Sequence, residues 1–298
     1  MSYTIPEIYP PQFSSNIETA IQQTSSILDD TVTPFNFDGK YKDMLFSSTI
    51  DWETATDGRM AQTNLAEYNL NKRWVLTKKI KVPVPPAIDE WDDNLLAQIS
   101  APGSDIINAI TFGYNRKKEK EIISAVESAV YIGADAPSST TAFPSANVIA
   151  HGSTGLTFAK VAQIIKLARK QNVDPSMLVG VISPEDEEYL ISNVNELRNK
   201  DYSAVQPIEG GSVAGKTWMG LKWRVCNQLT TDTTAHTVNA LFYPKSAIRF
   251  NFGTRKTAME VRADRDGAIQ FRSSARLGGA RAQDNGVFIV KSYYASIA

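Results

Sequence analysis

The segment SDIINAITFGYNRKKEKEIISAVESAVY, Ser104 to Tyr131, orders the rest of the chain. Ser104 is a good N-cap and Asp105 suits the positive end of a helix dipole, and the next proline is Pro137. Ile106, Ile107, Ile110, Tyr114, Ala125 and Ala129 fall on one broad face at helical pitch. Between them the charged run Arg116 to Glu121 predicts a helix anchored at its ends and wet in its middle. About 25 residues at 1.5 Å each give a span of roughly 40 Å, the length of a strut. Upstream, Val82-Pro83-Val84-Pro85-Pro86 must be extended, because each proline restrains the residue before it.

Composition narrows the classes. The chain has 298 residues, enough for one large or two ordinary domains, and no run of 18 apolar residues to span a membrane. The beginning, Met1 to Glu7, lacks the basic and apolar regions of a signal peptide, so none is expected. One cysteine, Cys226, excludes an internal disulfide and reads as a small buried hydrophobe. A net charge of −1 argues against a dedicated DNA-binding protein but leaves room for a local basic face. Residues 1–60 carry nine acids against three bases, and residues 245–281 nine bases against three acids. Two solvated surfaces would explain this. So would one copy's acidic arm lying on another copy's basic surface, a heterologous contact that repeats.

Along the chain, residues 1–43 hold little that could form a core alone, apart from a short helix expected between Ser15 and Leu28. They read as an arm packed on something else. Met44 to Trp52 and Arg73 to Val84 read as strands around a polar excursion, a long hairpin-like loop of the kind that usually has a task. Gly133 to Ser145 reads as loop. Thr157 caps a helix from Phe158 to Asn172, with Phe158, Val161, Ile165 and Ala168 inward, and Asp174-Pro175 stops it. Met177 to Ile182 reads as a buried strand. Ser183-Pro184 followed by Glu185, Asp186, Glu187 and Glu188 starts a third helix, expected to end near Arg198. Trp218–Val225, Ala240–Tyr243, Ile248–Phe252, Ala258–Arg262, Ala268–Arg272 and Val287–Tyr294 carry strand patterns. Leu277-Gly278-Gly279-Ala280 reads as the loop between the last two.

Chemistry-bearing motifs are few. Gly210 to Thr217 fits the P-loop pattern letter for letter, with Gly210, Gly215, Lys216 and Thr217 at its fixed positions. That motif needs a buried strand before it and a helix after it. Here Trp218 to Val225 is strand-like, so a structural turn is the reading. Two histidines and one cysteine are too few for a common zinc site. Glu185 to Glu188 are explained by their place at a helix start, and Asp264 to Gly267 by a turn. No catalytic residue, metal site or cofactor is expected, and the chain reads as a non-enzyme.

The order of arm, long polar loop, Ile88-Asp89-x-x-Asp92 and strut helix resembles the major capsid proteins of tailed bacteriophages, the Hong Kong 97-type fold. So do the helix ending in Lys170 to Asp174, Val181-Ile182-Ser183-Pro184, the Gly-rich loop after Asp201-Tyr202, and Ala240 to Ile248. The resemblance covers nearly the whole chain. It implies an α+β capsid fold with a long spine helix, an extended β-hairpin loop, and an axial domain with a central sheet and flanking helices. Residues 1–43 would be the N-terminal arm and 44–84 the extended loop. Residues 85–134 and 246–285 would form the peripheral domain, and 135–245 and 286–298 the axial domain.

The implied function is that of a shell subunit, self-associating in many copies into an icosahedral particle around double-stranded DNA. It would be made in the host cytoplasm and reside in the virion. A separate scaffolding protein, a portal, and non-specific DNA contacts on the inner face are the implied partners, with no membrane. Candidates for contact between subunits are Asp51, Arg59, Lys72 and Arg73 in the loop, and Arg262, Arg265 and Arg272 in the basic strands. An encapsulin-like compartment and a P-loop enzyme are the alternatives. Those compartments typically have a shorter arm, so the residues ahead of Met44 favour the virus.

Overall fold

The computed structural model describes residues 25–47, 70–83, 87–88, 105–193 and 212–295. In chain order these hold strands β1 (Thr33–Pro34), β2 (Tyr41–Ser47), β3 (Leu70–Leu76), β4 (Lys78–Lys81) and β5 (Ala87–Ile88), helix α1 (Asp105–Glu127), and β6 (Val130–Ile132), β7 (Ser139–Thr141) and β8 (Val148–Ile149). Helix α2 (Phe158–Lys170), β9 (Leu178–Ile182) and helix α3 (Pro184–Asn193) follow. Then come β10 (Thr217–Trp218), β11 (Leu221–Val225), β12 (Thr231–Asp232), β13 (Thr237–Pro244), β14 (Ile248–Phe252), β15 (Lys256–Arg262), β16 (Ala268–Arg281) and β17 (Phe288–Tyr293). No helix of the described residues is long and apolar enough to cross a membrane. Two compact units divide the chain: residues 1–26, 79–118 and 253–276, and residues 27–78, 119–252 and 277–298.

In the first unit β15 and β16 form an antiparallel hairpin in register from Lys256↔Ser274 to Arg262↔Ala268. Its tip turns through Ala263–Arg265 and two left-handed residues, Asp266 (φ 51°) and Gly267 (φ 76°). Strand β5 pairs the other edge of β16 at Ile269 and Gln270. Arg255 ties the hairpin to the first half of α1: its Nε donates to Ser273 Oγ, its Nη1 to Thr111 Oγ1, and its guanidinium lies 5.4 Å from the Tyr114 ring centre.

The second unit holds two sheets. A mixed sheet has the order β10-β11-β9-β13-β17-β8. Strands β8, β17, β9 and β11 run parallel to one another, and β13 runs against them. Thus β8-α2-β9 and β9-α3-β11 are successive crossovers stepping the same way across the sheet, which puts both helices on one face. Their inward residues Val161, Ile164, Ala168 and Leu190 share one core with Leu221, Trp223, Phe242, Phe288 and Val290. Gly180 makes room there, since a Cβ would stand 2.7 Å from Phe242, which meets Trp223 edge-on at 5.7 Å. Every residue of β9 is buried, as expected of a strand covered on both faces.

The second sheet is antiparallel, with the order β2-β3-β6-β7. Met44, Val75 and Val130 on its inner face pack with Ala280 and Ala282.

Thr157 caps α2 through its side chain, as its sequence position predicts, but the helix ends at Lys170, and Asn172 turns out with φ 57°. Phe158, expected inside, is 40 % exposed, and Ile164 takes the inward position. Met177 is exposed and β9 starts at Leu178. Ser183 and Asp186 exchange hydrogen bonds across the first turn of α3, a capping box that explains the start read from Ser183-Pro184. The expected end near Arg198 lies outside the described residues.

Other expectations are corrected. Helix α1 ends at Glu127 rather than Tyr131, because Val130 to Ile132 pair as a strand with Arg73 and Trp74. Ala129 is exposed. The charged middle of α1 is wet on one side only: Lys117 and Lys120 are exposed, whereas Glu119 is fully buried and Lys118 is 8 % exposed. Glu119 Oε1 accepts from Ile27 N at 2.8 Å and its Oε2 from Cys226 Sγ at 3.8 Å. Burial, with the neighbouring Glu119 charge, pushes the Cys226 thiol up to about 12. Gly133 to Ser145 is not all loop, since β7 pairs with β6. Leu28 lies outside any helix and is fully buried ahead of the short turn Asp29–Thr31; the rest of the expected arm helix up to residue 24 lies outside the described residues.

The largest correction concerns Leu277 to Ala280, which sit inside β16 rather than in a loop. Their glycines serve close packing. A Cβ on Gly278 would lie 2.0 Å from Leu76 O, and one on Gly279 would lie 2.6 Å from the Phe250 ring and 2.8 Å from Ala125.

Lys160 shows how a buried cation is satisfied here. Its ammonium donates to the carbonyls of His151, Thr154 and Gly155, each at 2.8 Å, and of Lys291 at 3.2 Å, tying the 151–155 loop to β17. Burial lowers its pKa, against the pull of Asp186. Lys160→Met leaves these carbonyls without their donor and is expected to cost about 2–3 kcal/mol. Thermal unfolding checks it, with a midpoint lower by about 4–8 °C.

Candidate assembly interface

The residues expected to meet other subunits divide into those used inside the chain and those left outward. Arg73 belongs to the first group. It is 9 % exposed, and both its terminal nitrogens reach the Asp284 carboxylate, at 3.1 and 2.6 Å. Arg281, fully buried, donates from Nε to the same carboxylate at 3.0 Å. Its Nη1 takes the carbonyls of Val126 and Ser128 at the end of α1, a placement that also suits the negative pole of the helix. Burial alone would raise the pKa of Asp284, but the hydrogen bonds and charges of Arg73 and Arg281 outweigh it and hold that pKa below the ordinary value. Asn147 donates to Asp284 O and accepts from Gln171, which accepts from Gly286 N. This hub fastens β3, the end of α1 and the end of α2. Arg73 is therefore a structural residue rather than a contact on the surface.

Lys72 stands on the opposite face of β3. It pairs with Asp43 at 3.5 Å, donates to Ala134 O, and lies 5.0 Å from the Trp74 ring centre. Arg262 is clipped to Asp264 at 2.5 Å and to Gln270; hydrogen bonding to Arg262 pulls Asp264 down to about 2. Arg272 pairs across the hairpin with Glu260 at 3.1 Å. Arg265 is exposed in the tip. Asp51, Arg59 and Gly210 lie outside the described residues.

Part of the acidity of residues 1–60 is likewise used within the chain. Asp30 pairs with Arg224 at 2.7 Å. Nearby Thr31 hydrogen-bonds Tyr243 Oη, and β1 runs parallel to β14. The chain from Ile27 to Pro34 is thus docked on its own subunit.

The P-loop match is a turn. Gly215 N donates to Trp223 O, Lys216 N to Val213 O, and Trp223 N to Lys216 O. Gly215 holds φ 74°, and a hairpin follows, with Met219 and Gly220 both left-handed between Trp218 and Leu221. A phosphate cradle needs free amides opening a helix. Thr217 opens a strand, and the amides of Gly215 and Lys216 are already bonded.

A cleft of about 460 Å³ along α1 is lined by Lys120, Ser124, Glu127, Gln228 and Thr230. Glu127 accepts there from Thr230 and Asn239, and burial raises its pKa in spite of them. These bonds join α1 to β13 and to the residue that precedes β12.

The described residues thus combine a long helix, the β2-β3 hairpin and a helix-covered mixed sheet. The chain matches the model of the phage capsid protein family over residues 5–293 and belongs to that family. It is a structural protein, a major capsid subunit of the virion shell. Its fold is the Hong Kong 97-type fold of solved phage capsids. A chain from Mycobacterium phage Che8 aligns with a TM-score of 0.66 and 16 % identity, covering 97 % of this chain and 98 % of that one. The capsid of Ralstonia phage GP4 aligns at 0.68 and 11 %, covering 100 % and 98 %. The capsid of Helicobacter pylori bacteriophage KHP30 aligns at 0.64 and 10 %, covering 94 % of each chain. Nothing among curated proteins matches.

Sequence reasoning missed Asp284 and Arg281 as partners of Arg73, and missed Tyr41, Leu45 and Tyr131, which are 44, 60 and 40 % exposed. A signal for the last group was present. Met44-Leu45-Phe46 is apolar on both faces of a strand that needs only one covered.

Proposed function

We propose that this subunit closes into an icosahedral shell around double-stranded DNA, performs no catalysis, and is made in the bacterial cytoplasm with a separate scaffolding protein and a portal. The observation that carries this is the family match along nearly the whole chain, joined to a fold likeness of the same extent. In this reading residues 1–43 are the arm and 44–84 the extended loop. Residues 85–134 and 246–285 form the peripheral domain, and 135–245 and 286–298 the axial domain. Each copy meets several neighbours through modest contacts, and closure multiplies their strength. DNA contacts are to phosphate and weaken with salt.

Negative-stain microscopy with size-exclusion across a range of salt tests this. Closed particles tens of nanometres wide, with nuclease-protected DNA in those from infected cells, are expected. Particles filled with a cargo enzyme, or a chain that stays monomeric even beside its co-expressed phage proteins, would refute it.

The basic strands have a sharper test. Reversal of Arg262, Arg265 and Arg272 to Glu is expected to weaken assembly at low salt with the subunit still folded. Arg262 and Arg272 also lose local pairs, so Arg265→Glu isolates the contact between copies. Its critical concentration for assembly is expected to rise about 3- to 10-fold, for a contact of about 1 kcal/mol. Normal assembly of both variants removes the role given to these strands.

A further inference from the structure

Strand β16 has β15 on one side and β4 on the other. Ser273 O accepts from Val82 N at 3.1 Å, and Gly278 lies against Leu76 and Thr77, so β4 runs antiparallel to β16. That register sets Lys81 opposite Ser274 and Lys79 opposite Arg276. From the other side Lys256 also stands opposite Ser274. Residues opposite one another in adjacent strands share a face, so Lys79, Lys81, Lys256, Arg272 and Arg276 project together. All five are exposed, whereas Phe271, Ser273 and Ala275, which alternate with the arginines along β16, are buried on the other face. There Arg255 joins Ser273 to Thr111 of α1.

The charge on the outer face is unbalanced. Among the described residues Glu260 is the one acid that the register puts there, and it is paired with Arg272. Toward the tip Arg262 is paired with Asp264. Lys79, Lys81, Lys256 and Arg276 take no acid partner among the described residues. They stand within roughly 10 Å of one another at the spacings of a sheet. Like charges directly opposite destabilise a sheet, so Lys79 against Arg276 works against the lone subunit. An anion laid across the face removes that cost. Between the cations lie Ser274 and Ala258, small side chains that give a protein partner no aromatic or aliphatic anchor. A phosphate backbone needs no anchor, only cations along its path.

We propose that this face binds the backbone of double-stranded DNA without regard to sequence. The proposal rests on the shell reading and deepens it, naming the residues that meet the enclosed nucleic acid. None of the four unpaired cations is among the residues given above to contacts between copies.

Fluorescence anisotropy of a short DNA duplex of mixed sequence, titrated with the free subunit across a range of salt, tests this. Four phosphates neutralised give a slope of about −4 for log affinity against log salt, the same for two unrelated sequences. Lys79→Gln, Lys81→Gln and Arg276→Gln together should weaken binding about 10-fold or more at low salt. The slope should become shallower by about 3, with an unchanged unfolding midpoint. Lys256→Gln, on the other side of β16, is an independent probe, expected to take about 1 from the slope. The control removes three charges elsewhere, at Lys166, Arg169 and Lys170, which are exposed on α2, and should leave affinity and slope nearly unchanged. Equal losses in the control would assign binding to overall charge and overturn the proposal. So would a subunit that does not bind DNA at low salt. Binding that the triple variant keeps, with particle assembly lost, would hand the face to a protein contact instead; binding kept with assembly intact would leave the face no role, and either result overturns the proposal. Wild-type particles with protected DNA, beside a subunit that does not bind it, sink this face alone. No wild-type particles under any condition sink the shell reading, and with it the enclosed DNA as the partner.

Discussion

Asp284→Ala is expected to lower the unfolding free energy of the subunit by about 3–5 kcal/mol, because it strips the carboxylate from two arginines that are already desolvated. Arg281 is fully buried and Arg73 nearly so, and neither can turn to water for a replacement partner. The loss spreads beyond the site, since Arg281 also holds the carbonyls that end α1. Denaturant unfolding of the purified subunit measures it, and a change under about 1 kcal/mol would mean that the hub is not a support. The pH dependence has a definite sign. The folded-state pKa of Asp284 is depressed by Arg73 and Arg281 beyond what burial adds. Its contribution is therefore complete above the ordinary carboxylate value of about 4 and fades as pH falls through the folded value. Wild type and variant should converge in stability on acidification below about pH 4, and divergence there would contradict the assignment.

Gly278→Ala should be nearly as damaging for a different reason. The added carbon would stand 2.0 Å from Leu76 O and 2.8 Å from Thr77 Cα, both backbone atoms that no rotamer change can move. Either β16 or the 76–77 backbone must shift, at an expected cost of about 3 kcal/mol or more, seen as insoluble expression or as a sharply lowered denaturant midpoint. Gly220→Ala is an informative comparison. Nothing lies within 4 Å of its Cβ position, so only its φ of 78° resists, and a cost of about 1 kcal/mol is expected. A loss at Gly278 no larger than that at Gly220 would mean that the close approach to Leu76 and Thr77 carries little weight.

How much was legible in the sequence follows from the range of each signal. The caps of α2 and α3 were readable because Thr157 and Ser183 bond the amides of the next turn. The late strands were readable from their alternation. For Gly278-Gly279, the loop reading failed because glycine marks a turn and a close approach alike, and only the neighbour at Leu76 distinguishes them. The burial of Glu119 was hidden because its partners, Ile27 and Cys226, lie about a hundred residues away in either direction. Of the assembly candidates, Arg265 stayed outward while Arg73 went to Asp284, 211 positions along the chain.

The sequence by itself determined the elements and their order: a proline-free helix of α1's length, two capped helices separated by a buried strand, and a β-rich final third. Period, caps and breakers act within a few residues, so they survive in one dimension. The order of those elements carried the resemblance to capsid proteins that the family match bears out. Only the tertiary structure decided which charges are spent inside and which faces are left over. A buried ion pair or an exposed sheet face exists through the meeting of distant segments, and desolvation depends on what lies across the gap rather than on what comes next in the chain.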